Sequence, residues 1–78
     1  MSRLPVLKAK KLIKVLKKLG FERRRQSGSH IFFSHPDGRT TVVPRHDRKD
    51  ISRGLLSEIL KDIEMKRDDF LKALQGKS

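Results

Sequence analysis

The residues best suited to chemistry lie in the segment Gly28-Ser29-His30, where a histidine follows directly on a glycine turn. The alternating residues after this turn favour a short strand that carries His30 near its start. An imidazole with an ordinary pKa of about 6.5 is an effective proton donor or acceptor at working pH. His30 is therefore a candidate general acid or base. The alternative, which holds for any single histidine, is a surface residue with no functional role.

The charge of the chain indicates what such a histidine would act on. The 78 residues carry 20 Lys plus Arg against 9 Asp plus Glu, for a net charge of +11. The excess lies in the first 26 residues, where ten basic residues face one acidic residue for a net of +9. A field of this kind attracts polyanions, so we expect a nucleic acid partner. A solvated, lysine-rich helix face is the alternative that charge alone leaves open.

Length and composition limit the class of protein. We expect one small domain over residues 1–78, with a thin core because only 35% of the residues are hydrophobic. The absence of cysteine excludes disulfides and Cys-based zinc sites. No apolar run approaches the roughly 20 residues that span a bilayer, so we expect a soluble protein, and the lack of cysteine favours the cytoplasm. The histidines at 30, 35 and 46 lack regular metal-ligand spacing, and we expect neither a metal nor a cofactor.

Hydrophobic periodicity predicts two main helices separated by three strands. Gly20 would end the first helix, and proline and glycine in Pro36-Asp37-Gly38 predict a tight turn. We expect Asp50 to cap the second helix. The predicted elements are a helix over 9–19, strands over about 21–26, 29–35 and 40–43 with a turn at 27–28, a helix that opens at 50–52, and an optional short helix over 67–74.

These elements predict an α+β fold with an α-β-β-β-α order and two layers. A single core requires both main helices to pack on one face of a three-stranded antiparallel meander. Alternation along the second strand then places Ile31 and Phe33 toward the helices, and His30, Phe32 and Ser34 on the opposite, outward face.

Basic residues near His30 are candidates for phosphate contacts. Arg23 and Arg25 lie two positions apart on the preceding strand, so we expect them on one face with Arg24 on the other, unless a bulge at Gly28 intervenes. Arginine suits phosphate because its planar fork bonds bidentately. His35, before Pro36, suggests a turn role. The remaining candidates for binding RNA lie in the turn before His30 and in the loop around His46: Ser29, Arg45, Arg48 and Lys49.

A series of short motifs runs through the chain in a fixed order: Leu19-Gly20-Phe21, the segment from Arg25 to His30, Phe33, His35-Pro36, Gly38, Thr41-Val42-Val43-Pro44, Gly54-Leu55 and Ile59-Leu60. In these motifs the chain resembles the HicA-type (YcfA-like) toxins, small mRNA interferases of toxin–antitoxin pairs, over nearly its whole length. The resemblance implies a double-stranded-RNA-binding-domain-like fold, a catalytic histidine at His30, no metal, and an antitoxin of the HicB type that masks the toxin.

Two positions depart from the expected pattern. Lys66 stands where relatives often have a capping serine, so the last helix would begin without a capping side chain. Phe32 is an aromatic residue on the outward face, where it could stack on an unpaired base or contact a protein partner.

Three hypotheses follow from these residues. The first is a metal-independent endoribonuclease toxin that cleaves mRNA with His30 as general acid or base, since RNA supplies its own 2′-hydroxyl nucleophile. The second is a non-catalytic module that binds double-stranded RNA. The third and weakest is a lysine-rich protein that binds acidic proteins or membranes through its first helix. The first predicts RNA and a HicB-type antitoxin as partners, and no membrane.

Overall fold

A computed structural model describes residues 4–45 and 50–76 of the chain. In the described residues, no helix is both long enough and apolar enough to cross a membrane. The elements are β1 (Leu7–Lys8), α1 (Ala9–Lys18), β2 (Glu22–Ser27), β3 (His30–Ser34), β4 (Thr40–Pro44), β5 (Asp50–Ile51), α2 (Arg53–Asp62) and α3 (Arg67–Leu74).

The predicted α+β architecture is confirmed. β2, β3 and β4 form an antiparallel sheet with β3 in the centre, and β3 pairs with both neighbours. Ile31 and Phe33 of β3 are buried with the apolar faces of the helices, whereas His30 is exposed. The helices therefore cover one face of the sheet and leave the other face outward, as alternation predicts. The core includes Leu12 and Leu16 of α1, Val43 of β4, Leu56 and Ile59 of α2, and Phe70 of α3.

The end of α1 is fixed by its last residues, as predicted. Gly20 has φ of 98°, a conformation that glycine adopts without steric cost. The Phe21 N–H donates to the Leu16 carbonyl at 3.0 Å and the Gly20 N–H to the Lys17 carbonyl at 3.1 Å, which is the Schellman arrangement. A Cβ at Gly20 would lie 2.9 Å from His35 Nε2, so this position also needs glycine for space. The result is a sharp turn from α1 into the sheet.

The predicted start of the second helix is wrong. Asp50 does not cap α2, because Asp50 and Ile51 form a short strand that pairs with Lys8 and Leu7. The capping residue is Ser52, whose Oγ accepts a hydrogen bond from the Leu55 N–H at 3.2 Å. Lys66 precedes α3 without a side-chain capping bond, as expected. The β1–β5 ladder thus joins the start of α1 to the start of α2.

The β3–β4 turn is organised by Asp37. Its Oδ1 accepts a hydrogen bond from the Arg39 N–H at 3.0 Å, and its Oδ2 lies 2.7 Å from Arg39 Nε. The Asp37 N–H donates to His35 Nδ1 at 3.1 Å, and the His35 ring packs edge-on against Phe21 at 5.1 Å. Arg39 also donates to the Ile63 carbonyl at the end of α2. His35 therefore contributes to turn structure, as its place before Pro36 predicts.

We expect Asp37→Asn to lower stability at neutral pH and to have less effect in acid. The backbone hydrogen bond from Arg39, followed by the Arg39 side chain, lowers the pKa of Asp37 below its ordinary value of 3.8. A carboxyl group with a lowered folded-state pKa stabilises the fold above its unfolded pKa, and that contribution is lost as pH falls through the folded pKa.

Urea unfolding of both proteins at pH 7, 5, 3.5 and 2.5 measures this effect. The difference in unfolding free energy between the two proteins should shrink as pH falls from 5 through 3.8 to 2.5, because the Asp37 carboxylate gains its proton. An equal difference at pH 7 and 2.5 would show that the carboxylate charge has no part in it.

Candidate active site on the outward face of the sheet

His30 is the first residue of the central strand and lies on the outward face of the sheet. Its cross-strand partners are Ser27 on β2 and Pro44 on β4. The side chain is exposed, and among the described residues its imidazole makes no hydrogen bond or ion pair. Both ring nitrogens are therefore available to a ligand on this face. An imidazole in this setting can accept or donate a proton in contact with a bound substrate.

The turn before His30 is held by glycine and by the chain beyond β4. Gly28 has φ of 59° in the two-residue connection Gly28-Ser29, one residue later than the predicted turn. The first position of a two-residue hairpin turn favours glycine, because a positive φ there matches the twist of the two strands. The Arg45 N–H donates to the Ser29 carbonyl at 2.6 Å. This bond brings the exposed Arg45 to the same end of the sheet as His30 and Ser29.

The arginines of β2 do not share a face as predicted. The pairing between β2 and β3 shifts between Arg23 and Arg25, so Arg23 lies opposite Phe33 and Arg25 lies opposite Phe32. Phe33 faces the helices and Phe32 faces outward, and cross-strand partners share a face. Alternation fails because a bulge at Arg24 adds one residue to β2, and not because of Gly28. Arg25 therefore lies on the face of His30, and Arg23 on the other.

The three arginines also differ in their contacts. Arg23 donates to Gln26 Oε1, and Gln26 Nε2 donates to the Gly28 carbonyl at 2.9 Å. Arg24 lies 3.4 Å from a carboxylate oxygen of Glu22. Arg25 instead places its guanidinium 4.7 Å from the centre of the Phe32 ring. Arg23 thus supports the hairpin turn, whereas Arg25 keeps its charge on the outward face.

The structure brings His30 and Arg25 to the outward face, and Ser29 and Arg45 to the end of the sheet where His30 lies. Arg48 and Lys49 lie outside the described residues, as does His46, so the structure does not place the loop that follows Arg45. Within residues 4–45 and 50–76, no three His, Asp or Glu side chains gather as a metal site. The residue pattern did not predict the stacked Arg25 and Phe32 as a pair, because the pairing depends on the turn, which lies one residue later than predicted.

The model of one protein family, described as HicA toxin of bacterial toxin–antitoxin, matches residues 9–65. The matched region runs from the start of α1 to just before α3 and includes every site residue named above. A search of curated proteins finds no match.

Proposed function

Because the chain belongs to the HicA family of toxins from bacterial toxin–antitoxin systems, we propose that it is a metal-independent endoribonuclease that cleaves mRNA in the cytoplasm, with His30 as general acid or base. Residues 1–78 would act as one toxin domain. The observation that carries the proposal is the exposed His30 imidazole, free of partners among the described residues, on the sheet face that also holds Arg25.

The proposed reaction takes its nucleophile from the RNA, one proton transfer from His30 and the other from solvent water. The 2′-hydroxyl oxygen forms a bond to the adjacent phosphorus, the bond from phosphorus to the 5′ oxygen breaks, and a 2′,3′-cyclic phosphate forms. The 2′-hydroxyl loses a proton and the departing 5′ oxygen gains one; His30 performs one of these transfers, and solvent water accepts or supplies the other proton. Arg25 and Arg45 add positive charge where negative charge develops on the phosphate oxygens.

The basic surface supports RNA as the substrate. The net charge of +11 favours phosphate binding at sites beyond the catalytic one. Arg23 and Ser29 remain candidate RNA contacts, as do Arg48 and Lys49 outside the described residues. Arg23 would contribute from the opposite side of β2, since its cross-strand partner faces the helices.

The family implies an antitoxin partner for this chain. We propose that this partner is of the HicB type and that it covers the outward face around His30. Covering the face would block the histidine without any change to the fold of the toxin. A neighbouring reading frame for a small acidic protein would support this partner.

The test of the proposed reaction uses purified protein and a single-stranded RNA in EDTA between pH 6 and 8. We expect cleavage with 2′,3′-cyclic phosphate and 5′-hydroxyl ends. Replacing the 2′-hydroxyl at the cleaved position by hydrogen should block that cut, because the nucleophile is lost.

Two outcomes would contradict the proposal. The first is cleavage that leaves 5′-phosphate ends, since attack by the 2′-hydroxyl cannot produce them. The second is tight binding of duplex RNA without any cut in single-stranded RNA, which would favour the non-catalytic double-stranded-RNA module.

A further inference from the structure

The outward face of the sheet carries an apolar strip beside His30. Phe32 lies in the centre of β3, with Arg25 opposite it on β2 and Val42 opposite it on β4. Pro44, the β4 partner of His30, continues the strip. Phe32, Val42 and Pro44 are each only half-buried, because the helices pack on the other face. The face is therefore both apolar and accessible.

Arg25 gives this strip a positive charge that no acidic side chain among residues 4–45 and 50–76 neutralises. Its guanidinium stacks on Phe32 at 4.7 Å, and among the described residues it has no carboxylate partner. Arg24 and Arg39, in contrast, pair with Glu22 and Asp37. A stacked guanidinium leaves its N–H donors and one flat surface open to a ligand. A flat apolar surface with an unneutralised cation complements a ligand that is both aromatic and anionic.

The distance to His30 suits a nucleotide next to the reacting phosphate. Phe32 is two residues along β3 from His30 on the same face, which corresponds to about 7 Å along an extended strand. This distance is comparable with the length of one nucleotide in an extended single strand. A phosphate at His30 would therefore place a neighbouring base within reach of Arg25 and Phe32.

We propose that Arg25 and Phe32 form a stacking platform for an unpaired nucleobase beside the phosphate at His30. This proposal rests on the proposed function, which places the phosphate there. The substrate at this site is then single-stranded RNA. A base within a duplex has both faces covered by its neighbours in the stack and cannot pack on the Arg25 guanidinium that lies over Phe32. Stacking of unpaired bases on aromatic and arginine side chains is the usual way in which proteins hold single-stranded RNA.

The test compares Phe32→Leu with Phe32→Tyr, both in the His30→Ala background so that the RNA stays intact. The probes are single-stranded RNAs with 2-aminopurine at successive positions, whose emission falls when the base stacks. Phe32→Leu should weaken binding by roughly 5- to 150-fold and abolish the quenching. Phe32→Tyr keeps the ring and should retain both. Binding of the same RNA annealed to its complement should not depend on Phe32.

Circular dichroism and thermal unfolding establish that each variant folds, and Val6→Ala serves as a control for loss of an exposed apolar side chain elsewhere. Unchanged affinity and quenching in folded Phe32→Leu would overturn the platform. Loss of antitoxin binding with unchanged RNA binding would overturn it too, because the strip would then be a protein interface. Failure of the proposed function would appear separately, as RNA cut by the His30→Ala protein itself.

Discussion

Cells that express the His30→Ala variant without an antitoxin are expected to keep growing, whereas cells that express the parental protein at the same level should arrest. His30 is exposed on the outward face that also carries Arg25, and Arg45 lies at the same end of the sheet. Loss of a general acid or base costs roughly 100- to 10,000-fold in rate. A toxin slowed to that extent would cut too little mRNA to stop growth. Growth curves and immunoblots after induction measure the result.

The control for this prediction is a second histidine. His35 lies in the β3–β4 turn, where its Nδ1 accepts a hydrogen bond from the Asp37 N–H. His35→Asn keeps an acceptor at that point, so this variant should still arrest growth. Arrest by His30→Ala at the parental expression level would remove His30 from the proposed chemistry.

The second large effect is expected on the free energy of unfolding when α3 loses its buried aromatic side chain. Phe70 of α3 is completely buried in the same core as the sheet and the other helices, although α3 lies beyond the region matched by the family. Phe70→Ala should lower the free energy of unfolding by about 3–5 kcal/mol, because it removes a large side chain and leaves a cavity. A protein of this size has a total stability of only about 5–15 kcal/mol, so the loss is severe.

Urea unfolding followed by circular dichroism measures this difference. Lys72→Ala on the same helix is the matched control, because Lys72 is exposed and its loss should change stability by less than about 0.5 kcal/mol. A change below about 1 kcal/mol for Phe70→Ala would mean that α3 is not part of the cooperative fold.

Hydrophobic periodicity was sufficient to predict the layers of the fold. Leu12 and Leu16 in one helix, and Ile31 and Phe33 in the central strand, are buried as their spacing predicts. Gly20 ends α1 and the segment 67–74 forms α3, also as predicted. These features depend on local spacing and on the conformational freedom of glycine, which a sequence displays directly.

Pairing between distant segments could not be predicted in the same way. The two-residue strands at Leu7–Lys8 and Asp50–Ile51 are too short to show a period, and they are separated by most of the chain. Asp50 and Ser52 are both good capping residues, so type alone could not decide between them. The strand pairing of Asp50 leaves Ser52 as the cap.

The candidate site was predicted in part. The outward position of His30 follows from alternation with Ile31 and Phe33, and the structure confirms it. The prediction that Arg23 and Arg25 share a face is wrong, because three consecutive arginines give no sign of a bulge at the middle one. The roles of these residues in RNA cleavage and binding remain predictions.

The most direct test of the central claim is single-turnover cleavage of one single-stranded RNA in EDTA, at saturating protein, by parental and His30→Ala protein. We predict that the rate constant of the variant is at least roughly 100-fold lower, while its affinity for the RNA is unchanged. Equal rate constants for the two proteins would contradict the assignment of proton transfer to His30.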